Sequence, residues 1–137
     1  VLMKQSAVAA SFSRQAAEYD IRPANGALAT SAFSGGNQQK IVLARELDRN
    51  PDVLLVGQPT RGVDIGAIEF VHRRLVALRD AGKALLVVSV ELDEIMALAD
   101  RILIMHDGRI VGDMPRAAAT EQTLGLLMAG VTEPSPT

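Results

Sequence analysis

The sequence predicts an α/β fold, a mostly parallel sheet flanked by helices and completed by an antiparallel C-terminal hairpin. Three observations carry this. Two short apolar runs, 53–56 and 84–90, read as strands; the second is uninterrupted, as expected of a strand covered on both faces. Between them, residues 66–81 repeat apolar side chains at helical spacing, and strand–helix–strand is the order of a parallel crossover unit. Finally, Asp107 and Gly108 separate the segments 101–105 and 109–113, a strong signal for a tight hairpin.

Each element has a local reason. Residues 4–18 place Val8, Phe12, Ala16 and Tyr19 roughly on one helical face. The segment 22–32, with Pro23, Asn25, Gly26 and several small residues, reads as a loop. A helix over 37–49 carries Ile41, Leu43, Ala44 and Leu47. It stops where Asn50 precedes Pro51, because a residue before proline is pushed out of the α region. In 66–81, Ala67, Val71, Leu75 and Leu78 share a face beside Ile68 and Phe70. Glu69 and Arg73 have the spacing of an i,i+4 pair, and Gly82 suits the position just past the helix end. Residues 91–99 form a short helix with acids at its positive end. A last helix over 120–129 ends at Gly130, and the tail 132–137 is expected to be disordered.

Composition narrows function. The 137 residues suffice for about one domain. Fourteen Lys and Arg against 16 Asp and Glu give a net charge of −2, so no basic field points to nucleic acid. Without cysteine there is no disulfide framework and no thiol chemistry, and His72 and His106 lack metal-ligand spacing. No apolar run approaches the ~18 residues of a membrane span. The chain opens on Val1 rather than Met, which suits a piece of a longer protein.

The most informative stretch is 33–40, Phe-Ser-Gly-Gly-Asn-Gln-Gln-Lys. A hydroxyl residue and two glycines at the start of a helix leave backbone N–H groups aimed outward at the positive end of the helix dipole, a natural place for a phosphate. Glycines let an anion approach the backbone, and Ser34 can cap the helix or donate its hydroxyl to a phosphate oxygen. Further on come the strand at 53–56 and then Pro59-Thr60-Arg61-Gly62-Val63-Asp64. From about residue 20 to 130, this order and wording resembles the second half of an ATP-binding cassette domain. Within the family it is similar to the second cassette of the tandem ATP-binding subunits of bacterial sugar and nucleoside importers, leaning to the nucleoside type.

The resemblance implies a partial P-loop NTPase fold. Residues 1–50 would be the remainder of the helical subdomain with the signature helix, 51–130 the C-terminal part of the ATPase core and 131–137 a tail. Ser34, Gly35, Gly36, Asn37 and Gln38 align with the signature motif, and Arg61, Gly62, Val63 and Asp64 with the D-loop. The Walker A string is absent. Where the family's Walker B strand ends in Asp and Glu, this chain has Gly57 and Gln58, and Val90 stands at the switch histidine. Glycine offers no carboxylate to Mg2+, glutamine cannot take a proton, and valine cannot hydrogen-bond a γ-phosphate. The family's cassettes pair head to tail, so a half can lose its own chemistry yet lend its signature motif to the ATP of its partner. The resemblance therefore implies ATP and Mg2+ in the intact assembly, an inactive chain in isolation, and a peripheral place on the cytoplasmic face of a bacterial membrane. The implied partners are an N-terminal cassette on the same polypeptide, transmembrane permease subunits and, indirectly, a solute-binding protein. The alternative is a regulatory or docking module that pairs with a cassette without touching nucleotide. A chromosome-maintenance cassette is disfavoured, because heptads and a basic face are missing. Uncovered sheet in such a piece predicts self-association, including as a swapped dimer.

Overall fold

A computed structural model of the chain describes residues 4–131. The tail expected to be disordered lies outside them. The elements follow the expected order: helix α1 (Gln5–Glu18), helix α2 (Gly35–Leu47), strand β1 (Val53–Gly57), helix α3 (Ile65–Asp80), strand β2 (Ala84–Val88), helix α4 (Leu92–Leu98), strands β3 (Arg101–His106) and β4 (Arg109–Pro115), and helix α5 (Glu121–Met128). The chain divides into two compact units, Val1–Leu86 and Val87–Thr137.

In the first unit, three helices and a strand share a core of Ala16, Tyr19, Ile21, Phe33, Leu43, Ala44, Val56, Ala67, Val71 and Leu75. Helix α3 is fixed at both ends. Asp64 accepts a hydrogen bond from the backbone N–H of Ala67 at 2.9 Å, closing the N-terminus. At the other end Gly82, with φ +83°, donates to the carbonyl of Arg79, and Lys83 donates to that of Leu78. These paired bonds form a Schellman ending, and the left-handed φ is what requires glycine there. Helix α2 begins two residues earlier than its apolar pattern suggests, because Ser34 rather than a later residue is the cap. Asn50 adopts φ +45° directly before Pro51, so the chain leaves α2 by a turn.

Strands β1 and β2 form one two-stranded parallel sheet. Their side chains alternate: Leu54, Val56 and Leu85 turn inward, whereas Val53, Leu55, Ala84 and Leu86 are exposed, Leu55 by 75%. The apolar run at 84–90 was expected to be covered on both faces. It is covered on one, because among the described residues no second layer packs on the outward face.

The second unit is built on the hairpin. Asp107 and Gly108 both have left-handed φ (+47° and +72°), as a two-residue type I′ turn demands. Strands β3 and β4 pair antiparallel from Arg101 opposite Pro115 to His106 opposite Arg109, with a register shift between Ile104 and Met105. The hairpin was expected to extend the parallel sheet; instead it forms a sheet of its own. The reason lies in its packing: Ile102, Ile104, Ala119 and Leu124 form a small core, with Leu92, Ile95, Met96 and Leu127 packed against it. Gly130, at φ +78°, closes α5 by donating to Leu127 while Val131 donates to Leu126, the same ending as on α3.

Leu75 is 2% exposed, on the buried face of α3. Leu75→Ala is expected to cost about 2–5 kcal/mol by chemical denaturation. A loss below about 1 kcal/mol would show that this face is not the centre of the unit.

Candidate functional site

The turn leading into α2 is organised by Ser34. Its Oγ accepts from the backbone N–H of Asn37 at 3.4 Å and from the Asn37 side-chain amide at 2.9 Å. With both lone pairs engaged, the hydroxyl proton is left to donate outward. The first intrahelical bond runs from the N–H of Gln38 to the carbonyl of Ser34, so the N–H groups of Gly35 and Gly36 precede the helical ladder. Ser34 and Gly35 are exposed, while Gly36 is buried.

The amide side chains of the motif face the chain itself. Asn37 Oδ1 accepts from the backbone N–H of Arg22 at 2.8 Å, and the Gln38 amide donates to the carbonyl of Phe33 at 2.8 Å. These bonds tie the preceding loop to the helix and hold the turn. Below it, Lys40 donates to the carbonyl of Asp20 at 3.0 Å and lies 4.9 Å from the centre of the Phe70 ring. Arg74 stacks 4.4 Å over Tyr19 and pairs with Glu18. Hydrogen bonding from Arg22, helped by the charge of Lys40, holds the Asp20 carboxyl below its ordinary value; burial raises the Tyr19 phenol.

The segment 58–64 makes the second half of the site. Gln58 has φ +50°, and its carbonyl accepts from the N–H of Arg61 at 3.2 Å. Pro59 and Thr60 are buried, whereas Arg61, Gly62 and Asp64 are exposed. This turn rests on the start of α2. A Cβ added to Gly35 would lie 3.0 Å from the carbonyl oxygen of Gly62; one added to Gly36 would lie 2.8 Å from both Ala67 Cβ and Asp64 Oδ2. The structure therefore brings Ser34–Gln38 and Arg61–Asp64 together in a single unit. It also explains the second glycine differently from the sequence: Gly36 accommodates α3. Ala67 was missed as part of the site, because its only signal is small size at the third position of a helix whose partner lies 31 positions away.

Gly57 ends β1 in the open, and a Cβ built there would meet nothing within 4 Å. Gln58 beside it is half-buried. Val90 belongs to the other compact unit. It is exposed just past β2, next to Ser89, whose Oγ accepts from the N–H of Glu91. Among the described residues no group of three or more His, Cys, Asp or Glu could hold a metal ion, and no helix is long and apolar enough to cross a membrane.

No family model matches the chain. Individual proteins do. It is 56% identical over 113 residues to the nucleoside import ATP-binding protein NupA of Lactococcus lactis subsp. cremoris, covering 82% of this chain and 22% of that protein. It is 56% identical over 116 residues to the guanosine import ATP-binding protein NupO of Bacillus subtilis, covering 85% and 23%. This chain belongs to the ATP-binding cassette family. The ribose import ATP-binding protein RbsA 2 of Streptomyces avermitilis is 49% identical over 109 residues, covering 80% of the cassette chain and 22% of the relative. Thus the chain spans less than a quarter of the length of these curated relatives. Its fold matches the ATP-binding cassette MJ0796, in a dimeric post-hydrolysis state bound to ADP and Pi, with a TM-score of 0.70 at 21% identity. That match covers 85% of this chain and half of the other.

Ser34→Ala removes the α2 cap and is expected to cost about 1 kcal/mol in a denaturant melt, with Ser34→Asp close to neutral because aspartate caps equally well. Equal losses in both variants would show that the cap does not hold this turn.

Proposed function

We propose that this chain is the C-terminal part of the second cassette of an importer's ATP-binding subunit, acting in nucleoside-type uptake. In this reading residues 1–50 belong to the helical subdomain and 51–130 to the ATPase core. Its task is to complete the partner cassette's nucleotide site. The carrying observation is the Ser34 turn: an exposed hydroxyl that accepts twice from Asn37, beside the exposed start of a helix. Ser34 and the N–H of Gly35 would donate to the γ-phosphate of ATP held by the N-terminal cassette, stabilising charge without making or breaking a bond themselves. Asn37 and Gln38 would act by holding the turn, and Arg61–Asp64 by sharing its position. The higher identity to the nucleoside and guanosine proteins than to the ribose protein supports the nucleoside lean.

The chain's own hydrolytic positions are read as silent. Gly57 carries no group for Mg2+, Gln58 cannot serve as a base, and Val90 offers no hydrogen bond. The subunit would sit at the cytoplasmic face of the membrane, on permease subunits served by a solute-binding protein.

The test uses the full-length subunit with its permease. Ser34→Asp keeps the cap but sets a carboxylate against the phosphate, and is expected to lower ATP turnover by about 10²-fold or more with folding intact. Unchanged turnover would overturn the trans-site reading in favour of a docking module. In the Ser34→Asp background, adding Gly57→Asp and Gln58→Glu is expected to raise residual turnover by about tenfold or more, since a positioned base is restored. No rise would show that other losses silence the second site.

The isolated 137-residue chain would self-associate through the outward sheet face at Val53, Leu55 and Leu86. Light scattering is expected to find dimers or larger species, reduced by Leu55→Ser with Leu86→Ser. A monomer at high concentration would refute this.

A further inference from the structure

We infer that Ala67 is a positioning residue for the signature turn, acting through Gly36; the inference rests on the reading that this turn contacts a partner's nucleotide. Three observations converge on the contact. Gly36 is the buried residue of the Ser34–Gly35–Gly36 turn, although Ser34 and Gly35 are exposed. Ala67 is 3% exposed, and its Cβ lies where a Cβ on Gly36 would clash at 2.8 Å. Asp64, whose Oδ1 caps α3 on the N–H of Ala67 itself, has its other oxygen at the same place. Two helix starts are thus seated on each other through one missing Cβ, with a single methyl group as the spacer.

The consequence is geometric. The Ser34 hydroxyl and the Gly35 N–H can reach a phosphate only where α2 places them, and α2 is placed by how closely its first turn approaches α3. Added volume at this seam must move one helix start against the other, because packed interiors do not absorb an extra methyl group without a shift. A shift of about 1 Å in a group that positions a reacting phosphate can cost about 10²-fold in rate. Glycine at position 36 is therefore required by α3, rather than by the anion.

A size swap tests this in the full-length subunit with its permease. Gly36→Ala alone is expected to lower kcat for ATP by about tenfold or more, with the KM less affected, since the ATP is held mainly by the partner cassette. Ala67→Gly alone carries the modest helix penalty of glycine. The double variant Gly36→Ala with Ala67→Gly keeps the methyl count and moves the methyl across the seam, leaving Asp64 Oδ2, the end of a side chain, as the one contact that must turn aside. It is expected to recover kcat to within about threefold of the starting protein, a strong departure from additivity. Ala67→Val, which enlarges the other side, is expected to reproduce the loss seen with Gly36→Ala.

Three results would overturn the inference. In the first, Gly36→Ala is harmless while Ser34→Asp abolishes turnover: the trans-site reading stands and the seam does not matter. In the second, the swap restores the melting temperature but not kcat: glycine is then needed by the nucleotide itself. In the third, Ser34→Asp leaves turnover intact: the reading beneath the inference fails, and the inference with it.

Discussion

Two helix N-termini meet at one point in this chain, and much of the first unit depends on how that meeting is made tolerable. Each helix start carries a partial positive charge and unbonded N–H groups, so α2 and α3 repel where they approach. Asp64 answers both. One carboxylate oxygen caps α3 and the other lies against the start of α2. Glycine at 36 and alanine at 67 then allow an approach that larger side chains would forbid. The result is one firm platform on which the Ser34 turn and the Arg61–Asp64 turn hold a fixed relation.

Around this platform the remaining interactions are anchors. Asn37 and Gln38 fasten the preceding loop, and Lys40 and Arg74 lay their cationic ends over Phe70 and Tyr19. Such stacking lets a long side chain cover apolar surface while its charge stays partly hydrated. At the far end of α3, the Schellman ending turns the chain at once into β2, and Lys83 pairs with Asp52 at 2.9 Å beside the backbone bond from Ala84 to Asp52. Local chemistry thus fixes both ends of the crossover that carries the site.

What the sequence revealed, and what it hid, follows from the range of each interaction. Ser34, Gly82, Gly130 and the Asp107–Gly108 pair act within a few residues, and their caps and turns were legible. The family wording in the Ser34 and Arg61–Asp64 segments was legible for the same reason, being contiguous. Layer coverage was not: an apolar strand such as 84–88 carries the same residues whether one face or two are buried, so the exposure of Leu55 and Leu86 could not be read. Nor could the inward use of Asn37 and Gln38, whose partners, Arg22 and Phe33, are chosen by the path of a loop. The contact of Gly36 with Ala67 was hidden most completely. A missing side chain gives no pattern, and its cause lies in another helix.

One feature of β1 bears on how such a chain diverges. Among the described residues nothing lies within 4 Å of where a Cβ at Gly57 would stand, so a side chain could begin there without displacing them. Glutamine and glutamate differ by a single base in either codon, and glycine and aspartate can differ by one as well. Aspartate at 57 and glutamate at 58 are thus a pair of point mutations away from the residues present.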